Sequence, residues 1–71
     1  MDTIIDTTIV TKYSPLIPAL KAIYEGKKGD KVQIVMDNEQ AFQDLKEFLS
    51  ERGTGFREIY DINQLILQFT L

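Results

Sequence analysis

At 71 residues the chain has room for one small domain, spanning 1–71, and no second core. It has no cysteine and no histidine, which excludes disulfides, thiol chemistry and the commonest general base and metal ligand. The net charge of -3 argues against a nucleic-acid surface, which calls for a basic stripe.

In chain order, the β-branched run Thr3–Asp6 predicts a short first strand. The segment MDTIIDTTIV carries no basic leader and nothing near the ~20 apolar residues of a membrane helix, so a cytoplasmic protein without a membrane partner is expected. Ser14 and Pro15 then form a helix start, with Ser14 as N-cap and Pro15 in the first turn, where a missing N–H costs nothing. Leu16, Leu20 and Ile23 share one stripe of that helix, with Ile17 and Tyr24 beside it, and Gly26 ends it. Pro18 conflicts with a cap at Ser14, because it lacks the N–H that would close the first intrahelical bond. The helix therefore starts slightly later or opens with a loose turn.

Lys27-Lys28-Gly29-Asp30 is a turn, and Val32, Ile34 and Met36 give a second strand with one apolar face. Asp37 or Asn38 caps a second helix, and Asp37 with Gln40 offers a capping box. Ala41, Phe42, Leu45, Phe48 and Leu49 follow at helical spacing until Gly53. Phe56–Tyr60 reads as a third strand, and Leu65, Leu67, Phe69 and Leu71 alternate in a fourth. The order β-α-β-α-β-β, with one apolar stripe per helix, predicts an α+β two-layer sandwich, two helices on one face of a four-stranded mixed sheet. Its core is expected to comprise Leu16, Leu20, Ile23, Val32, Ile34, Ala41, Phe42, Leu45, Phe48, Leu49, Leu65, Leu67 and Phe69.

Several landmarks fall together on this framework: Ile5-Asp6 closing the first strand, Gly29-Asp30 before the second, Asp37-Asn38 before the second helix, and Gly53 after it. In these the chain resembles the TusA/SirA/YedF family of small sulfur-carrier proteins, the spacing kept without a gap over nearly all its length. That family opens its first helix with Cys-Pro-x-Pro, the cysteine carrying a persulfide. The resemblance implies strand order one-two-four-three, with strand four running against the others. In the ungapped register the motif falls on Lys12-Tyr13-Ser14-Pro15, so only Pro15 matches, Lys12 stands at the cysteine position, and Ile9 replaces a loop glycine. A gapped register would instead put Ser14-Pro15 on Cys-Pro.

A non-catalytic member of this family is expected, binding a protein partner around Lys12, Tyr13, Ser14 and Pro15. The alternatives are a residual enzymatic role through Ser14 or Lys12, and weak RNA contact through Lys27, Lys28 and Lys31. A lysine in a helix-mouth loop is ordinarily a solvated charge, and a nucleophilic one needs desolvation. Tyr13 is either an aromatic lid on the core edge or an interface anchor. Asp37, Asn38 and Glu39 are explained by capping. No metal site, phosphate loop or catalytic carboxylate pair is present in the sequence, and no cofactor is expected. The sequence leaves the oligomeric state open.

Overall fold

The structure, a computed structural model, describes residues 2–8 and 14–71. The elements are β1 (Asp2–Asp6), α1 (Leu16–Glu25), β2 (Lys31–Met36), α2 (Glu39–Arg52), β3 (Phe56–Asp61) and β4 (Gln64–Thr70). They form one four-stranded sheet in the order β1-β2-β4-β3. β1 and β2 are parallel, and β4 runs antiparallel to both β2 and β3. This is the predicted α+β sandwich with the predicted strand order. The registers place Thr70 and Asp2 on either side of Lys31, and Ile66 between Val35 and Ile59.

Alternation along the strands divides the sheet into two faces. One face meets the helices: Val32, Ile34, Met36, Leu67 and Phe69 pack against Ala19 and Ile23 of α1 and Ala41, Phe42, Leu45 and Leu49 of α2. Leu16, Leu20, Phe48 and Leu65, expected as full core members, are partly buried at its margin, while Ala19 and Met36 are wholly buried. The open face carries Ile4, Gln33, Val35, Ile59, Ile66 and Gln68, with Gln68 Nε2 donating to Gln33 Oε1 at 2.8 Å. Val35 is only 7% exposed although it lies on this second face.

The helix ends explain themselves locally. Asn38, not Asp37, caps α2: its Oδ1 accepts from Ala41 N–H at 2.9 Å. The Asp37–Gln40 capping box does not form, and Gln40 instead donates to Asp44 Oδ1 one turn on. Gly53 closes α2 in the left-handed region, φ 80°, where glycine has no Cβ penalty. Gly26 ends α1 in extended backbone, so its need for glycine is spatial: a Cβ there would strike Leu71 Cδ1 and lie 2.9 Å from the Ala22 carbonyl. The following turn is bolted to the last strand, Gly29 N–H donating to Leu71 O at 2.7 Å and Leu71 N–H to Asp30 O at 2.9 Å.

Candidate functional site

The mouth of α1 is built from the exit of β1 and the first turn of the helix. At the exit, Thr7 is buried, and both its N–H and its Oγ1 donate to Val35 O, at 2.8 and 2.7 Å. The neighbouring Asp6 carboxylate folds back on the chain, accepting the Thr8 N–H at 2.9 Å and the Thr8 hydroxyl. These two bonds, the side-chain one foremost, hold the Asp6 carboxyl below the usual carboxylate range. The sequence reading passed over both threonines, although Asp-Thr-Thr after a strand is a local signal for such an Asx turn.

Lys12 and Tyr13 lie outside the described residues. Ser14 is exposed and organises the helix start: its Oγ accepts from Leu16 N–H at 3.2 Å and its carbonyl from Ile17 N–H at 3.0 Å. Pro15 occupies the cap position with helical backbone, φ -56° and ψ -20°, and α1 runs from Leu16. Pro18 is thereby accommodated, because the Ser14 carbonyl that it would have served takes the Ile17 N–H instead, in a tightened i→i+3 turn. Pro15, not the expected Ser14, is therefore the N-cap, and the helix starts later and opens with a non-standard turn.

The consequence for chemistry is specific. A helix N-terminus usually presents up to four free N–H groups to an anion. In this turn Pro15 and Pro18 have none, and those of Leu16 and Ile17 are taken by Ser14. No spare backbone donor remains in the first turn for a phosphate, carboxylate or oxyanion, and the turn carries no acidic side chain.

The remaining candidates disperse. Lys27 and Lys28 are exposed in the turn after α1, which is tied by Lys27 N–H to Asp30 Oδ2 at 3.0 Å, a bond that lowers the Asp30 pKa. Lys31 stands on the open sheet face beside Asp2, whereas Lys27 lines a groove between α1 and β1, so the three lysines do not share one surface. Among the described residues no group of three or more acidic side chains is arranged to hold a metal. None of the described helices is long and apolar enough to cross a membrane.

Comparison with known protein families gives a match. The family model for sulfurtransferase TusA matches residues 4–71, a span running from β1 through β4. No curated protein and no solved structure matches the chain significantly.

Proposed function

Since the chain belongs to the sulfurtransferase TusA family, we propose that it is a non-catalytic sulfur-carrier-like module that docks a protein partner through the mouth of α1, at Lys12, Tyr13, Ser14 and Pro15. The observation that carries this reading is a TusA domain whose 71 residues hold no cysteine. A transferable sulfane sulfur needs a thiolate to carry it, and neither a serine hydroxyl nor a lysine amine can do so. The first turn of α1 fits the same view, because Pro15 and Pro18 offer no N–H and those of Leu16 and Ile17 are engaged by Ser14. A retained scaffold without its reactive group keeps shape and surface, and these suffice for recognition.

Incubation with a cysteine desulfurase and labelled cysteine tests the chemistry. The expected result is no covalent label on this chain, and stable label would overturn the reading. A photo-crosslinking residue in place of Tyr13 tests the docking. One discrete adduct, lost when Ser14→Arg is introduced, is expected, and an adduct indifferent to that change would count against the α1 mouth.

The family resemblance leaves two readings of the lost cysteine's position, Lys12 in the ungapped register and Ser14 in the gapped one. Lys12→Cys and Ser14→Cys separate the two by their alkylation rates against pH. The ungapped register is supported if Lys12→Cys has the lower thiol pKa. It fails if only Ser14→Cys falls below the free value of about 8.5, helped by the Leu16 N–H.

A further inference from the structure

β1 is an edge strand, and among the described residues no strand pairs with its outer side. Thr7 N–H reaches β2 at Val35 O, and in a parallel ladder alternate residues turn both backbone groups to the same side. Thr3, Ile5 and Thr7 therefore bond towards β2, while Asp2, Ile4 and Asp6 turn their N–H and C=O groups to the free edge. The side chains alternate in the same rhythm. Asp2, Ile4 and Asp6 stand on the open sheet face, with Ile4 68% exposed, and Thr3 and Ile5 point to the helix side. There they border a groove of about 570 Å³ between β1 and α1, with Pro18 and Ala22 on its far wall and Lys21 and Glu25 at its rim. At the opposite edge Lys46 reaches from α2 to Glu58 at 2.8 Å, and the Phe42 and Tyr60 rings meet edge to face, their centroids 5.8 Å apart.

We propose that the free edge of β1 takes up an extended, basic segment of a partner protein as an additional strand. A chain laid antiparallel on β1 and centred on Ile4 exchanges two backbone hydrogen bonds with Ile4. Its residues opposite Asp2 and Asp6 are basic, and its residues opposite Thr3 and Ile5 drop small apolar side chains into the groove. The charges select this occupant over a second copy. Antiparallel self-pairing about Ile4 sets Asp2 against Asp6 at both ends, and like charges directly opposite are destabilising. Lys31 flanks Asp2 on the inner side, but Asp6 faces Val35 and has no cation across the strand. The net charge of -3 further favours a basic segment over an acidic one. This surface uses none of Lys12, Tyr13, Ser14 and Pro15 and stands whether or not those residues bind a partner.

The test uses the full chain and a capped peptide with the core Lys-Val-Thr-Val-Lys, followed by amide NMR and hydrogen exchange. Binding with Kd below about 1 mM, with the amides of Ile4 and Asp6 shifted and newly protected from exchange, is expected. Glutamate in place of both lysines should weaken binding about tenfold or more, the factor that two opposed cross-strand charges give. Proline in place of the central threonine removes the donor to Ile4 and should abolish binding. In the chain itself, Asp2→Lys with Asp6→Lys should reverse the preference in favour of the glutamate peptide, and Asp2→Lys alone, which leaves the Asp6–Thr8 turn intact, should reduce it. Absence of binding, equal binding of both peptides, or shifts confined to Ser14, Leu16 and Ile17 would each overturn the proposal. So would a wild-type chain that dimerises through β1.

Discussion

Glu58 receives hydrogen bonds from Lys46 Nζ at 2.8 Å and from the Tyr60 hydroxyl at 2.6 Å. Both favour the carboxylate, Lys46 more strongly, and hold its pKa below the ordinary 4.5. The same bond raises the Tyr60 pKa, because it stabilises the neutral phenol. The pair is partly solvated, so its effect on stability is small and screened by salt. Its sign is definite. A carboxyl depressed by folding stabilises the protein above its unfolded pKa, and that contribution is lost as the pH falls through the folded value. Glu58→Gln should therefore melt below the wild type at pH 7, and the two melting curves should converge as the pH falls through the lowered folded value. A gap that persists in acid would mean that Glu58 acts through packing instead. Asp6 and Asp30 are depressed in the same direction by their own hydrogen bonds, so the wild type should also lose stability on acidification. The Lys46–Glu58 pairing was not legible in the sequence, since the two residues lie on different elements. Ser14 was legible, because its bonds to Leu16 and Ile17 are local.

At the scale of elements, the two aspartate/asparagine candidates before α2 separate cleanly. Asn38 has extended backbone, φ -113° and ψ 111°, and its side chain reaches Ala41 N–H. Asn38→Ala should cost about 1 kcal/mol of unfolding free energy by denaturant titration, and Asp37→Ala a few tenths at most. Equal losses would contradict this assignment. Residue types narrowed the cap to two neighbours, but only backbone dihedrals decide which side chain can reach back. The order of elements was readable throughout because each helix has a single apolar stripe and β2 and β4 alternate. Strand pairing is different in kind: placing β4 between β2 and β3 came from family resemblance, since periodicity carries no information on non-local neighbours. For the same reason alternation within β2 gives no sign that Val35 is buried. Its register opposite Ile66, and Ile66 opposite Ile59, makes an apolar strip across the open face that alternation within one strand cannot show.

For the molecule as a whole, a chain of 71 residues has roughly 4–10 kcal/mol of stability to lose. Phe42 is 1% exposed, touches the Tyr60 ring edge-on and lies under the Lys46 ammonium, 5.0 Å from its centroid. Phe42→Ala should remove about 3–5 kcal/mol, a third of the total or more, and leave the domain largely unfolded near 37 °C. Phe48→Ala should cost less, because Phe48 is only partly buried and meets Tyr24 at the core's rim. A thermal melt that ranks the two the other way would show that the buried face of α2 is misassigned. The groove beside β1 belongs to this scale too: it exists only because strand order leaves β1 at an edge, and no local pattern around Asp2–Asp6 announces it. The same strand order bears on synthesis. β4 is translated last of the six described elements, yet it fills the gap between β2 and β3, and β3 pairs with no other described strand. A nascent chain that has exposed only residues 1–63 holds two disconnected halves of a sheet, so vectorial, helix-by-helix folding on the ribosome is closed to it. Stalled chains ending before Gln64 should be degraded by added protease like an unfolded polypeptide, and protection should appear in one step once Thr70 has emerged; a protected fragment from shorter chains would show that the α1–β2–α2 half stands without its central strand.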